Sequence, residues 1–262
     1  GNVGEVIRIT TNPAKQVTPS IYGNKIIWSD LRNIPASTYD YGTYGYGGYG
    51  DIYMYDLVTK EETRITTSPT AAGRPAIHGD KIAWIDSKNG PAIYMYDLTT
   101  GKETKLNAGV VSPSHLHFYG NIIVYSDRKS AYDTSDIYMY DLTTGKETKV
   151  GGTMWYDHSP RIHGDRVVWN VYNDKTRDYD IYLYEISTGR QNQITKGQNM
   201  EVMADIYGDK IVWVTQYEDG TSEFPIYVYD INTKKQTRIT SHHSTNFNPR
   251  IYENKVVWMD FR

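Results

Sequence analysis

The stretch Pro160-Arg161-Ile162-His163-Gly164-Asp165-Arg166-Val167-Val168-Trp169 reads as two short strands joined by a tight turn, the second strand β-branched and ending in a large aromatic. Glycine at the turn supplies the positive φ that a two-residue hairpin demands. The same phrase returns at Tyr22-Gly23-Asn24-Lys25, His78-Gly79-Asp80-Lys81, Tyr119-Gly120-Asn121, Tyr207-Gly208-Asp209-Lys210 and Tyr252-Glu253-Asn254-Lys255. Successive turns are 56, 41, 44, 44 and 45 residues apart. A period of about 40 to 45 residues built only of strand-like segments is the signature of propeller blades, because one small sheet buries both faces only by stacking on its neighbours.

Alternation and turn chemistry extend the unit outward from Trp169. A short first strand lies around Pro160-Arg161-Ile162, the second is Arg166 to Trp169, the third Asp180 to Tyr184 and the fourth Gln191 to Thr195. Between the last two lies Ser187-Thr188-Gly189-Arg190, repeated as Thr99-Thr100-Gly101-Lys102 and Thr143-Thr144-Gly145-Lys146. The second strands end in Trp28, Trp84, Tyr125, Trp169, Trp213 and Trp258, and five third strands carry Tyr-x-Tyr, from Tyr53/Tyr55 to Tyr227/Tyr229. Aromatics recurring at one register in every unit are packing between blades.

Six first hairpins are present but only five complete third strands. The N-terminal segment Glu5 to Thr10 matches a fourth strand, so the expected fold is a single all-β domain over residues 1–262. It is a six-bladed β-propeller whose last blade is closed by the N-terminal strand with the C-terminal hairpin, which removes exposed sheet edges.

Composition narrows the function. The formal net charge is −3 with both signs interspersed, which argues against nucleic acid and anionic membranes as partners. No apolar run approaches the roughly 20 residues of a spanning helix, and Gly1-Asn2-Val3-Gly4 lacks the charged and apolar regions of a signal peptide. The chain has no cysteine, which excludes disulfides, thiol catalysis and thiolate metal sites. Its 25 tyrosines suit half-exposed strands and rigid contact surfaces.

The unit Ile-x-Gly-Asp/Asn-Lys-Ile-Val-Trp-x-Asp, followed by Asp-Ile-Tyr-Met-Tyr-Asp-Leu-Thr-Thr-Gly-Lys-Glu-Thr, resembles the TolB-type (WD40-like) β-propeller repeat, most closely that of archaeal and bacterial cell-surface proteins. The resemblance spans essentially the whole chain. It implies a six-bladed propeller, export to the cell surface or extracellular space, and a role in interactions or surface structure within a larger protein. Pro225 and Ala92 stand where other units carry the aspartate that opens the third strand, so that aspartate is not a uniform ligand.

Subtracting the repeat leaves the residues that could carry function, since variable loops on a rigid scaffold are where binding concentrates. Trp155 is the tryptophan outside the packing ring, in Met154-Trp155-Tyr156-Asp157-His158, read as a loop before a first strand. It is either a loop hydrophobe or a stacking platform for a sugar. The insertion Tyr39 to Gly50, with Tyr41, Tyr44, Tyr46 and Tyr49, has the tyrosine–glycine composition of adaptable binding loops, a disordered surface insertion and a plug across the channel being the other readings. Arg161 and Arg250 align with His117, Ser20, Ala76 and Asp205 on first strands, where arginines would take a carboxylate or sulfate, or pair with Asp205. Phe247 joins this face.

His115 and His117, two apart on one strand, are expected to share a face near the propeller channel, with His158 and His242-His243 nearby. Such imidazoles suit a divalent metal only if three or four converge. Asp174, Asp178 and Asp180 are a weak calcium arrangement, and His78 and His163 read as scaffold. No phosphate-binding glycine loop, Gly-x-Ser-x-Gly elbow or His-Glu-x-x-His helix occurs. The leading expectation is therefore a non-enzymatic surface module binding glycan or protein without a cofactor. A metal-assisted polysaccharide lyase or hydrolase using His115, His117, His158 and Arg161, and a structural surface-layer module, are the alternatives.

Overall fold

The computed structural model describes residues 7–33, 50–66, 72–86, 90–106, 108–130, 134–151, 156–173, 175–197, 199–217, 223–240 and 245–261. The described residues contain strands and turns and no helix, so none is long and apolar enough to cross a membrane. The chain divides into two compact units, Gly1–Asn107 and Ala108–Arg262.

The N-terminal unit holds two four-stranded antiparallel sheets, each in sequential order. The first is β1 (Gln16–Tyr22), β2 (Lys25–Asp30), β3 (Asp51–Asp56) and β4 (Glu62–Arg64). The second is β5 (Ala72–His78), β6 (Lys81–Asp86), β7 (Ala92–Asp97) and β8 (Lys102–Lys105). In the C-terminal unit a third such sheet comprises β9 (Pro113–Tyr119), β10 (Ile122–Asp127), β11 (Asp136–Asp141) and β12 (Lys146–Gly151).

Two further sets of four follow. These are β13 (Tyr156–His163), β14 (Arg166–Asn173), β15 (Asp178–Glu185) and β16 (Arg190–Gln193), then β17 (Met200–Tyr207), β18 (Lys210–Gln216), β19 (Ile226–Asp230) and β20 (Lys235–Arg238). They are joined into one sheet by a single parallel pairing of Tyr179 with Met200. The last hairpin, β21 (Asn246–Tyr252) with β22 (Lys255–Asp260), stands as a two-stranded sheet.

Of the expected closing strand Glu5 to Thr10, the described part, Ile7 to Thr10, forms no strand, and β22 pairs with β21 alone among the described residues. In the complete blades fourth strands pair with third strands, as β4 does with β3 and β20 with β19.

The core sits between consecutive sheets. Trp84 packs with Ile27, Ile52 and Ile65 in the N-terminal unit. Trp169 packs with Val124, Ile137 and Val150, and Trp213 with Val168, Ile181 and Leu183, in the C-terminal unit. Each ring also stacks on the tyrosine opposite it in the next strand, with centroids 6.0 to 6.2 Å apart for Trp28–Tyr53, Trp84–Tyr94, Tyr125–Tyr138, Trp169–Tyr182 and Trp213–Tyr227. Gly151 is needed for this approach, because a Cβ there would lie 2.7 Å from Cζ2 of Trp169.

Two residues past the fourth strands, Thr66, Thr195 and Thr240 each accept on Oγ1 a backbone N–H of the third strand, at Ile52, Ile181 and Ile226.

Every first strand is broken by a bulge. The register slips between Val17 and Ser20, Gly73 and Ala76, Ser114 and His117, His158 and Arg161, Val202 and Asp205, and Phe247 and Arg250. Within each slip one non-glycine residue takes a left-handed conformation: Thr18, Arg74, His115, Ser159, Met203 and Asn248, with φ between 49° and 60°. Such a residue costs on the order of 1 kcal/mol or more and persists where the surroundings over-determine it. Here the bulge keeps the strand paired at both ends while turning its middle.

Candidate functional site

The first strands of the C-terminal unit lie side by side, β9 against β13, β13 against β17 and β17 against β21. Their residues just past the bulge are His117, Arg161, Asp205 and Arg250, opposite Val124, Val168, Val212 and Val257. The register that the aligned repeats gave these four residues is the one the strands adopt. Asp205 is buried and accepts the Ile251 backbone N–H at 2.9 Å, while Arg161 Nε lies 3.9 Å from its other oxygen. Burial pushes the Asp205 carboxyl up, and the Arg161 and Arg250 charges and the backbone N–H groups oppose that shift. The guanidinium groups are steadied by their own strands, Arg161 donating to the Pro160 carbonyl at 3.1 Å and Arg250 to that of Pro249 at 2.8 Å. Arg161 is half-buried and Arg250 exposed.

The bulge corrects the expectation for the histidines. Because His115 sits at the left-handed residue, alternation fails between it and His117, and the two rings do different things. His115 Nδ1 lies 3.1 Å from Ser114 Oγ and 3.3 Å from Ser126 Oγ, and its ring meets His158 edge-on with centroids 6.2 Å apart. His117 Nδ1 instead accepts the Ile162 backbone N–H at 3.2 Å, the same service Asp205 gives Ile251. Burial lowers the His158 pKa, which favours the neutral ring. Of the three proposed ligands the structure unites His115 and His158 and leaves His117 tied to the neighbouring strand. No group of three histidine, cysteine, aspartate or glutamate side chains gathers into a metal cage among the described residues.

Tyr156, Asp157 and His158, expected in a loop, belong to β13, where they pair with Tyr172, Val171 and Asn170. Pairing resumes beyond the bulge, so the strand runs further than its uninterrupted alternation suggested. Phe247 is half-buried, and its ring makes edge contacts with Phe224 at 5.3 Å and Phe261 at 5.7 Å. Tyr41, Tyr44, Tyr46, Tyr49, Trp155, His242, His243 and Asp174 lie outside the described residues, as do the side chains of Tyr156 and Asp157.

A second polar cluster joins Asp178 and Asp180, which the sequence singled out, to Glu201, which it did not. Asp178, Asp180 and Glu201 are all buried, on β15 and β17 where the two blades meet. Asp178 accepts from Thr176 Oγ1 at 2.5 Å and Asp180 from Gln193 Nε2 at 2.8 Å, whereas Oε2 of Glu201 is buried without a hydrogen-bond partner. Burial, then the Asp180 charge, pushes the Glu201 carboxyl up to about 8. The signal available in the sequence was an acid near the start of a first strand, shared with Asp157 at the same register of the preceding unit, where other units carry Gln16, Ala72, Pro113 or Asn246.

At the turn end of the same blades lies a cavity of about 220 Å³ lined by His163, Asp165, Arg166, Glu185, Ser187 and Gly208. Its charges are already engaged: Arg166 pairs with Asp209, and Asp165 accepts from Ser187 Oγ at 2.5 Å. His163 accepts the Gly208 N–H at 3.0 Å and packs against Tyr119 and Tyr207, as a scaffold residue would.

With this geometry in hand, the chain is similar in structure to several propellers. It matches the β-propeller domain of the Trilobed protease from Pyrococcus furiosus with a TM-score of 0.69 and 18% identity, covering 95% of this chain and 78% of that one. Pyrococcus horikoshii acylaminoacyl peptidase aligns with a TM-score of 0.71 and 16% identity over 95% of this chain and 43% of the peptidase. TolB from Acinetobacter baumannii aligns with a TM-score of 0.60 and 16% identity over 89% of this chain, which spans 56% of that protein's length. No protein-family model matches the chain, and no curated protein sequence matches it significantly. The fold is a TolB-like β-propeller. At these identities the likeness shows the fold and not an activity.

Proposed function

We propose that this chain is a non-enzymatic binding module at the cell surface that captures a carboxylate- or sulfate-bearing ligand, carried by a glycan or a protein. The observation behind this reading is the placement of Arg161 and Arg250 at one register of neighbouring strands, on either side of the buried Asp205. One carboxylate between two guanidinium groups leaves a net positive charge on a rigid, strand-borne surface. Arginine's planar fork suits bidentate binding of such anions. Asp205 is held by the Ile251 N–H, and each arginine donates to the carbonyl of the proline before it, so the row is preorganised, which lowers the entropic cost of binding. The repeat count supports six blades, five of four strands and one begun by β21 and β22.

The test is a glycan-array screen of the purified protein with and without divalent cations, repeated with Arg161→Ala and Arg250→Ala. Selective binding to acidic glycans, weakened at least tenfold by either arginine variant with an unchanged melting temperature, is the expected result. Binding to uncharged sugars, or acidic-glycan binding indifferent to both arginines, would refute this reading. A blank array directs the same variants to a screen of acidic peptides.

A further inference from the structure

Asp205 is 7% exposed, a carboxylate carried into the interior by the register of β17. The charged and titratable groups that act on it are Arg161 and His163 of β13 and Arg250 of β21. The other strands packed on this part of β17 are apolar there. Opposite Asp205, β18 places Val212, and β14 and β15 contribute Val168, Ile181 and Leu183 to the cluster that holds the flanking Ala204 and Ile206. Oδ2 of Asp205 accepts the Ile251 N–H at 2.9 Å, while Oδ1 lies 3.9 Å from Arg161 Nε, an ion-pair distance too long for a hydrogen bond.

Burial works against the ionised carboxylate, and the fields of the two guanidinium groups work for it. An anion seated on those guanidinium groups cancels their field at Asp205 and leaves the burial as it was. It also sets a second negative charge beside a buried one, where low dielectric strengthens the repulsion. His163 does not relieve this. Its Nδ1 accepts the Gly208 N–H at 3.0 Å, and burial lowers its pKa, which favours the neutral ring.

We propose that anion capture by the arginine row is coupled to the uptake of a proton by Asp205. The inference rests on the reading of that row as an anion site and adds what regulates it. Solvent supplies the proton, and Oδ1 takes it, since Oδ2 is engaged by the Ile251 N–H. The bound state then holds two guanidinium groups, a neutral carboxyl and the anion. Because the anion favours protonated Asp205, protonated Asp205 favours the anion by the same factor. Affinity is therefore highest below the Asp205 pKa of the free protein. It falls as pH rises from there to the higher pKa of the anion-bound protein, and is constant above that. Such coupling favours anions that stay ionised while Asp205 is protonated, as a sulfate does.

The experiment titrates inorganic sulfate into the 262-residue protein at constant ionic strength between pH 5 and pH 8, where sulfate itself takes up no proton. Binding is followed by NMR at the Ile251 amide, whose N–H reports on Asp205 directly. The dissociation constant is expected to rise about tenfold across this range. Asp205→Asn keeps an acceptor for the Ile251 N–H without the charge, and is expected to bind with the same affinity at every pH. His163→Gln is expected to keep the wild-type pH dependence. Calorimetry of the wild type in buffers of different ionisation enthalpy counts the protons taken up, and a positive count is expected. A count of zero at every pH, or a pH dependence that survives Asp205→Asn, overturns the coupling; the arginine row still stands if Arg161→Ala weakens binding. A pH dependence lost in His163→Gln assigns the proton to that ring and overturns the coupling as well. Absence of sulfate binding by the wild type and Asp205→Asn at every pH overturns the arginine row and this inference with it.

Discussion

Two hairpins of nearly the same sequence, β13–β14 and β21–β22, live in opposite environments. Trp169 is fully buried, stacked on Tyr182 and packed among Val124, Ile137 and Val150, whereas Trp258 at the same register is 38% exposed. The sequence of a repeat sets which face of a strand is apolar, but burial is conferred by the neighbours that face meets. A side chain's contribution to stability is therefore a property of the interface, not of the repeat.

The largest expected effect comes from truncating the two rings. Trp169→Ala should cost about 3 to 5 kcal/mol through lost contacts and the cavity left behind, while Trp258→Ala should cost less than about 1 kcal/mol. Urea denaturation of both variants measures this directly, and equal losses would break the comparison. Asp205→Ala comes next, since it strands the Ile251 N–H and removes the counter-charge of Arg161; about 2 to 3 kcal/mol of destabilisation is expected. Hydrogen exchange should show protection lost first in β21, because Asp205 ties β17 to that strand.

The smallest effect depends on pH and contrasts the interface joining β15 to β17 with the one joining β17 to β21. Glu201 has its folded pKa raised from the ordinary 4.5 to about 8, so the fold favours its protonated form. That contribution is fully present below about pH 4.5 and is lost as pH rises to about 8. Glu201→Gln should then stabilise the protein by about 1 to 2 kcal/mol at pH 8.5 and leave it unchanged at pH 4, as read from melting temperatures across that range.

The strands, their turns and the aromatic ring were legible because each rests on a local rule repeated six times. Glycine turns, period-two alternation and one aromatic per unit all act within a single hairpin. The register of Arg161, Asp205 and Arg250 was legible for the same reason, since aligned repeats place aligned residues on neighbouring strands. What stayed hidden was non-local or non-periodic. The bulge at His115 changes the phase of alternation without any glycine to announce it, so His115 and His117 were assigned one face and occupy two. The extent of β13 past that kind of bulge and the burial of Glu201 depend on what lies across a blade boundary, which no single repeat encodes.

The bonds that reach across blade boundaries also bear on how the molecule comes apart. Ile162 to His117, Gly208 to His163, Asn248 to Met203 and Ile251 to Asp205 each join residues 45 or 46 positions apart, one repeat length. A blade closes on itself over far shorter loops, so hairpins form early and blade docking comes later, each docking step closing a loop of the same modest length. Unfolding of such a chain has no reason to be all-or-none. It proceeds blade by blade, each step undoing the bonds that tie one first strand to the next and releasing one repeat at a time.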